Sequence, residues 1–503
     1  MPSAHDPRVA RLARGVLLPG FTGDRVPDWL ARATEDGLGG VCLFAQNVGV
    51  DVRSVTGELH GIRGDVLVAS DEEGAEVTRL EAATGSSWPG HAALGRVDDL
   101  DTTRRVAAGI GRLCRRAGVD LALAPDVDVT SNPDNPVIGL RAFGTDPDLV
   151  ARHTTAFVDG LQSAGVAACA KHFPGHGDTV TDSHLGLPVI EADLETMRRR
   201  DLPPFEAAVR AGVRAVMTAH VSFPVLDRAP ATLSGTVLGM LRSDLGFDGV
   251  VVSDALDMRA ISAGVGRGPG AVLALAAGVD LVCIGNPQHP HAYDDEAAFT
   301  EVLDAVVRAV GSGELALSRL EDAGARVADL AGWVARARHT PAAQRPDGLL
   351  APDDDAELVR SVARQVLQSH GSPVVCGSSL HILDLRGAPN LAAGPRPSGV
   401  LTALSGRVAD TRVTDVCAQA EPRLALERAL TAAAGACLVV LVGSPHRDAE
   451  RQWLLDVAVA SRPDAVVVAT GLPDDRDRLG ERWVRTWGDS LPAGAAAADV
   501  LLG

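Results

Sequence analysis

The sequence predicts an α/β protein built from an eight-stranded (β/α)8 barrel of the TIM type, followed by a smaller α/β sandwich domain. Three observations support this fold class. Eight short apolar runs recur between residues 15 and 285, segments with helical spacing separate them, and polar residues follow their ends. The runs are 15–21, 39–44, 65–71, 119–125, 165–171, 214–220, 249–254 and 279–285.

Each run is apolar almost without interruption, as expected for a strand that is buried on both faces of a parallel sheet. Between the runs, apolar residues at helical spacing predict helices, among them 149–164, 193–211 and 236–245. Eight such units in about 285 residues match a TIM barrel in number and in length. The main alternative, a doubly wound open sheet, is disfavoured because no Gly-x-Gly-x-x-Gly follows the first run.

The chain divides into a barrel domain (1–340), a linker (341–355) and a C-terminal α/β domain (356–503). The linker is assigned to a stretch rich in proline and polar residues. Beyond it, a helix over 356–369, four apolar runs and a final helix over 493–502 predict a second parallel sheet with helices. The four runs are 381–385, 436–443, 464–470 and 482–487.

The composition indicates an ordinary soluble globular protein, with 46% hydrophobic and 22% charged residues. A net charge of −18 argues against nucleic acid as a partner, because a polyanion would be repelled. The seven cysteines are widely spaced and include no Cys-x-x-Cys pair, which argues against a disulfide framework or a zinc–thiolate site. The sequence shows no signal peptide and no run of 18 apolar residues. We therefore expect a cytoplasmic protein that binds no membrane, with monomer and dimer both open.

The fifth run leads into the stretch 169–184, which is dense in titratable side chains. Its sequence is Cys-Ala-Lys-His-Phe-Pro-Gly-His-Gly-Asp-Thr-Val-Thr-Asp-Ser-His. Turn-forming residues that alternate with titratable groups, directly after a buried strand, predict an ordered loop that presents chemistry. The titratable residues are Lys171, His172, His176, Asp178, Asp182 and His184.

Polar groups also follow other runs, where the catalytic groups of a TIM barrel lie at the C-terminal ends of the strands. They include Asp71, Asp126, His220 and Asp254, and the stretch 132–144 reads Asn-Pro-Asp-Asn-Pro-Val-Ile-Gly-Leu-Arg-Ala-Phe-Gly. With these residues, and above all with Lys-His-Phe-Pro-Gly-His-Gly-Asp-Thr-x-x-Asp-Ser-His, the chain resembles the family 3 glycoside hydrolases. The resemblance is to their β-N-acetylglucosaminidase (β-N-acetylhexosaminidase) branch and covers most of the first 290 residues.

This resemblance implies a retaining exo-β-N-acetylglucosaminidase that removes terminal β-linked N-acetylglucosamine without a metal or an organic cofactor. Its substrates would be small oligosaccharides, either chitin-derived or muropeptide-type cell-wall fragments of peptidoglycan recycling. Retention requires a carboxylate beneath the anomeric carbon and a proton donor beside the leaving oxygen. Asp254, at the end of the seventh run, matches the family's nucleophile, and a helix N-cap is the alternative role for it.

For the proton donor, the resemblance implies a pair formed by His184 and Asp182. An imidazole titrates near neutrality, so it can donate a proton to the leaving group and then accept one from the incoming nucleophile. Asp182 can accept a hydrogen bond from the other ring nitrogen, which fixes the tautomer and stabilises the imidazolium. We expect the loop to move so that His184 reaches the bond.

The resemblance assigns the binding of the terminal sugar to four residues, and two more are candidates for lining the site. Charge-assisted hydrogen bonds from such groups make binding depend on the orientation of the hydroxyls. For Lys171 and Arg141 the alternative role is a structural ion pair. For His220 the alternative is a core histidine whose ring nitrogens are both hydrogen-bonded within the protein. The four are Asp71, Arg141, Lys171 and His172, and the two are His220 and Met258.

Two questions stay open within the family. Over 72–77 the chain reads Glu-Glu-Gly-Ala-Glu-Val, where the family often has Gln-Glu-Gly-Gly-Arg-Val, so a β-glucosidase-type specificity is an alternative. An uncharged histidine base repels an anionic acceptor less than a carboxylate would, so phosphate could replace water and make the enzyme a phosphorylase.

Two hypotheses from other classes compete with the glycosidase. A metal-dependent amide hydrolase would use the histidines and aspartates as ligands. However, no His-x-His occurs at the first strand, and Lys171 would oppose a cation. A non-catalytic protein that binds amino sugars would have no reason to keep Asp254, Asp182 and His184.

Overall fold

The structure is a computed structural model that describes residues 6–49, 51–338, 352–373, 379–387 and 390–503. All eight apolar runs of the first part form parallel strands, each shorter than or close to its run. They are β1 (Leu17–Pro19), β2 (Gly40–Leu43), β3 (Leu67–Ser70), β4 (Leu121–Ala122), β5 (Ala167–Phe173), β6 (Ala215–Thr218), β7 (Val250–Val252) and β8 (Val282–Gly285).

The strands follow one another in chain order around a curled sheet. Strands β2 to β7 pair in sequence, β1 pairs with β8, and a parallel bridge between Val252 and Leu281 joins β7 to β8. One hydrophobic cluster with a residue from every strand fills the interior, as the layered core of a barrel requires. Its members include Leu18, Cys42, Ala69, Leu121, Cys169, Met217, Val252 and Cys283. The predicted α/β barrel is confirmed.

A long helix, Leu317–Arg338, spans the N-terminal ends of the strands. Its Val327, Leu330 and Val334 belong to the same interior cluster. Arg338 donates to the carbonyl of Gly64 ahead of β3, at 3.1 Å, and Arg326 donates to the carbonyl of Asp248 ahead of β7, at 2.8 Å. Active-site groups therefore lie at the opposite, C-terminal ends of the strands.

The remaining helices of this part separate the strands as predicted, with two differences. The expected helix over 193–211 is two helices that meet at Asp201, because Pro203 and Pro204 favour a new helix start there. The expected helix over 236–245 continues from an α-helix into a π-helix, Met240–Asp244. The α-helices are Pro7–Arg14, Asp28–Glu35, Ala45–Val48, Val52–Ile62, Leu100–Ala117, Pro147–Ser163, Leu194–Arg200, Leu202–Arg210, Gly235–Gly239, Arg259–Ser262, Arg267–Ala277 and Asp295–Ser312.

The C-terminal part forms a six-stranded sheet with helices on both faces, an α/β sandwich. Two hydrophobic clusters, one on each face, alternate along the strands, as the pleat requires. The order is β9-β14-β13-β12-β10-β11, and β9 alone runs antiparallel to its neighbour. The strands are β9 (Gln368–His370), β10 (Ser379–Asp384), β11 (Asp410–Asp415), β12 (Cys437–Val442), β13 (Val466–Ala469) and β14 (Trp483–Arg485).

The four predicted runs of this part are strands, but β9 and β11 were not predicted. The helix expected over 356–369 is Pro352–Val366 and ends earlier, because β9 begins at Gln368. The other helices of this part are Gly399–Arg407, Pro422–Ala432, Ala449–Ser461 and Leu491–Leu502. A further helix, His91–Val97, comes from the N-terminal part of the sequence. In the part of the chain that the structure describes, no helix combines the length and the apolar character needed to cross a membrane.

The chain separates into two compact units that differ from the sequence-based division. The first is Met1–Glu73, Leu100–Ile138 and Gly144–Ala351, and the second is Gly74–Asp99, Gly139–Phe143 and Pro352–Gly503. The second unit thus takes in two stretches from the N-terminal part of the sequence. Residues 341–351 of the predicted linker lie outside the described residues.

Candidate active site

Lys171 lies in β5 and is almost fully buried between two carboxylates. Its Nζ lies 2.8 Å from Asp71 Oδ1 and 2.7 Å from Glu73 Oε1. Asp71 and Glu73 both follow β3, so the end of β3 and the end of β5 meet at this ammonium group. Lys171 is also the only lysine in the 503 residues. Sequence reasoning missed Glu73, although two-residue spacing from Asp71 on an extended segment places both side chains on one face.

His172 is oriented by Asp128, another residue that the sequence analysis did not select. A parallel bridge pairs Asp126 with Lys171 and so brings the segment after β4 beside His172. His172 Nδ1 lies 2.8 Å from Asp128 Oδ2, and Asp128 also accepts from the backbone N–H of His176, at 2.6 Å. Because a carboxylate only accepts, Nδ1 carries the proton.

Asp126, Asp128 and His172 bring three ligand-type atoms within 4.8 Å of one another, the kind of group that can hold a metal ion. In this group, His172 Nδ1 and Asp128 Oδ2 already lie at hydrogen-bond distance from each other. A cation would have to displace that bond and the proton on Nδ1. The contact that the structure shows in this group is therefore the one that orients His172.

His184 and Asp182 form the hydrogen-bonded pair that the sequence predicted. His184 Nδ1 lies 2.7 Å from Asp182 Oδ1, and the same oxygen accepts from the backbone N–H of His184 at 2.8 Å. Burial raises the pKa of Asp182, but the hydrogen bonds and the charge of His184 outweigh it, so that pKa lies below its ordinary value. The carboxylate is therefore ionised at neutral pH and keeps Nε2 of His184 as the nitrogen that can reach a substrate.

The loop that carries this pair is held by contacts of His176 and Asp178. The buried ring of His176 lies 3.0 Å from Thr179 Oγ1 and 3.3 Å from Ser183 Oγ. Asp178 accepts from Arg200 at 2.7 Å, which ties the loop to the helix Leu194–Arg200. Through these contacts His176 and Asp178 hold the shape of the loop.

Asp254 lies two residues after the end of β7, and its Oδ1 accepts from the backbone N–H of Ala255 at 2.8 Å. Burial raises its pKa, but His220, His172 and His184 together lower it below the ordinary value. A positive charge on a neighbouring ring favours the carboxylate over the neutral acid. The structure therefore places three predicted site histidines close enough to Asp254 to act on its charge.

His220 is buried and uses both ring nitrogens. Nε2 lies 2.9 Å from the carbonyl oxygen of Ala255 and Nδ1 lies 2.8 Å from Thr232 Oγ1. Burial lowers the pKa of His220, so the ring is neutral with its proton on Nε2. The backbone N–H of Met258 donates to the same Ala255 carbonyl at 3.2 Å. Both residues therefore fix the turn that carries Asp254. The hydrogen bonds of both ring nitrogens fit the alternative role of His220 as a core histidine.

Arg141 is the predicted site residue that belongs to the second unit. It is buried and ends a short 3₁₀ turn, Gly139–Arg141. The other eight predicted residues all lie in the first unit, where Asp71 meets Lys171, Asp182 meets His184, and Asp254 interacts with the histidines.

Asp257, three residues after Asp254, is a buried carboxyl held by two donors. Its Oδ2 accepts from the backbone N–H of Asn286 at 2.8 Å and from Tyr293 Oη at 3.2 Å. Burial outweighs both bonds and raises the pKa of Asp257 to about 7. A raised pKa means that the folded protein binds a proton that the unfolded chain releases, so stability falls as pH rises from about 4 to about 7.

Asp257→Asn should therefore stabilise the protein at alkaline pH, because the amide keeps an acceptor oxygen but has no charge to desolvate. We expect the free energy of unfolding to rise by about 2–4 kcal/mol at pH 8 and by much less at pH 4. Urea unfolding at both pH values measures this. The exposed Asp304→Asn is the control, and an equal effect of Asp257→Asn at both pH values would contradict the raised pKa.

Comparison with known proteins identifies the family of the chain. The family model for the glycosyl hydrolase family 3 N-terminal domain matches residues 31–330. The chain is 34% identical over 319 residues to beta-hexosaminidase A of Pseudoalteromonas piscicida, which covers 58% of this chain and 53% of that relative, so this chain spans about half of its length. It is 35% identical over 302 residues to a beta-hexosaminidase of Thiobacillus denitrificans, covering 57% of this chain and 82% of that one.

One solved structure is similar in fold to nearly the whole chain. It is a glycoside hydrolase family 3 beta-N-acetylglucosaminidase from Paenibacillus sp. str. FPU-7, 31% identical, with a TM-score of 0.85 and coverage of 98% of this chain and 96% of that one. The family model and this structure together span both the barrel and the C-terminal sandwich. The chain belongs to glycoside hydrolase family 3.

Proposed function

We propose that this glycoside hydrolase is a retaining, exo-acting β-N-acetylglucosaminidase that works through a covalent glycosyl-enzyme on Asp254. The observation that carries the proposal is the 2.7 Å contact between His184 and Asp182, in a site where the charge of His184 also acts on Asp254. The names of the beta-hexosaminidase relatives and of the Paenibacillus enzyme support N-acetylglucosamine as the sugar.

In the first step, the Asp254 carboxylate attacks the anomeric carbon while His184 donates the proton of Nε2 to the leaving oxygen. Asp182 stays ionised on the other side of the ring, where it holds the orientation of the imidazole and stabilises its protonated form. In the second step, neutral His184 takes a proton from water as the water attacks the glycosyl–aspartate bond, which restores both residues and retains the anomeric configuration.

Sugar recognition falls to the groups beside this centre. Lys171 and Asp71 form a buried ion pair whose atoms are fixed in position, so a hydroxyl that bonds to them must have one orientation. His172 is held through Nδ1 by Asp128, so the orientation of its ring beside this centre is fixed. His220 and Met258 act indirectly, because both hold the Ala255 carbonyl next to Asp254.

The test compares His184→Ala on two substrates whose leaving groups differ in their need for a proton. We expect kcat/KM for N,N′-diacetylchitobiose to fall by about 10²–10⁴-fold, since its sugar leaving group must be protonated. The 2,4-dinitrophenyl β-glycoside should lose little in the glycosylation step, because its leaving group departs as an anion. Initial rates for both substrates measure the difference.

His370→Ala, an exposed histidine of the second unit, is the control and should match the wild type. Equal losses on both substrates would refute His184 as the acid. Activity on β-glucosides without activity on the N-acetylglucosamine substrates would refute the sugar assignment. A rate that depends on added phosphate would make the enzyme a phosphorylase.

A further inference from the structure

A cavity of about 280 Å³ lies at the N-terminal end of the barrel, the end opposite to Asp254. Its walls come from the residues just ahead of β6 and β7 and from the helix Leu317–Arg338. The mechanism uses none of its residues. They include Arg214, Asp248, Arg326, Asp329, Leu330 and Trp333.

The guanidinium of Arg214 stacks on a tryptophan ring in the wall of this cavity. Its guanidinium carbon lies 4.9 Å from the centre of the Trp333 ring, and this stacking fixes the plane of the side chain. Its Nε is buried without a hydrogen-bond partner, and the structure gives the side chain no ion pair with any described residue. A guanidinium that is held against an aromatic ring and has no counter-ion among the described residues is suited to binding a planar anion such as a carboxylate.

Arg326, the other arginine of the cavity wall, already has its charge compensated. Its Nη1 donates to the Asp248 carbonyl at 2.8 Å, its Nη2 lies 3.5 Å from Asp322, and its buried Nε lies 3.8 Å from Asp280 Oδ1. In contrast, the charge of Arg214 has no counter-ion among the described residues.

Negative charges of the cavity wall also have no counter-ion. The carboxylates of Asp329 and Asp248 are exposed and form no ion pair within the described part of the chain. A simple anion would meet Arg214 but would also be repelled by these two groups. A ligand with one negative and one positive group would satisfy both signs.

We propose that this cavity binds a zwitterionic amino acid or dipeptide with an apolar side chain. Its carboxylate would pair with Arg214, its ammonium group with Asp329 or Asp248, and its side chain would lie on Leu330 and the Trp333 ring. The volume suits a ligand smaller than most, since about 280 Å³ lies just below the usual range of roughly 300–1,000 Å³ for binding pockets. The proposal does not depend on the glycosidase assignment, because no residue is shared.

The test measures binding of L-leucine and L-leucyl-L-leucine to the full chain by calorimetry. Two analogues each lack one charge: L-leucinamide has no carboxylate, and N-acetyl-L-leucine has no ammonium group. We expect saturable binding of leucine or the dipeptide, and affinities at least about tenfold weaker for both analogues. Arg214→Met should weaken leucine binding by about tenfold as well, with Arg214→Lys intermediate.

Arg210→Met is the matched control, because Arg210 is an exposed arginine in the preceding helix and pairs only at 3.5 Å with Glu206. It should leave binding unchanged. Thermal melts check that each variant is folded. The proposal fails if neither ligand binds up to its solubility limit, if leucinamide or N-acetyl-leucine binds as tightly as leucine, or if Arg214→Met binds like the wild type.

Discussion

Asp254→Asn should lower kcat for N,N′-diacetylchitobiose by about four orders of magnitude, because the amide cannot form the glycosyl ester. The substitution conserves shape and keeps an oxygen that can accept from the Ala255 N–H. We therefore expect the variant to fold and to bind substrate with a KM close to that of the wild type. Steady-state kinetics together with a thermal melt measure both quantities.

A rescue experiment separates a nucleophile from a merely structural carboxylate. Asp254→Gly opens space beneath the anomeric carbon, so added azide should restore turnover of the dinitrophenyl substrate and give the α-glycosyl azide, the inverted product. Asp257→Gly, truncated at the neighbouring buried carboxyl, should give no such product. Asp254→Asn activity within tenfold of the wild type would show that another group is the nucleophile.

Lys171→Met should be the most destabilising single change that the site offers. It removes the cation that lies 2.7–2.8 Å from both Asp71 and Glu73, and Glu73 is almost fully buried. Removing one partner from a buried ion pair leaves a charge that solvent cannot stabilise, which typically costs about 3–5 kcal/mol. We expect the free energy of unfolding to fall by that amount, as measured by urea unfolding at pH 7.

A double-mutant cycle checks the cause. Glu73→Gln should destabilise the wild type. In the Lys171→Met background it should restore part of the lost stability, since it removes the buried Glu73 charge that no longer has a partner. Lys171→Arg keeps the charge but replaces a compact ammonium group by a larger planar guanidinium, so it should also lower the free energy of unfolding. Additive effects of Lys171→Met and Glu73→Gln would mean that the ion pair contributes nothing.

The sequence predicted the strands that consist of apolar residues and missed those that do not. All eight barrel strands were found because each is buried on both faces. In contrast, β11 has the sequence Asp-Thr-Arg-Val-Thr-Asp and lies at the edge of its sheet, so half-exposed polar residues conceal it. No local pattern could reveal that residues 74–99 and 139–143 belong to the second unit, because that assignment depends on long-range packing.

The same limit applies to the site. His184 and Asp182 are two residues apart, and the family resemblance predicted their pairing. Asp128 and Glu73 orient predicted residues from 44 and 98 positions away along the chain. Their partners are set by the parallel pairing of β4 and β3 with their neighbours, which a single sequence does not display.

The single lysine has a consequence for proteolysis. A protease that cuts only after lysine finds one peptide bond in the whole chain, between Lys171 and His172. That bond lies inside β5, where the side chains on both sides of it are buried. Cleavage requires β5 to leave the sheet, so the two fragments, 1–171 and 172–503, appear only from molecules whose barrel has opened. The rate of this one cut therefore reports the opening of the catalytic barrel without any introduced label.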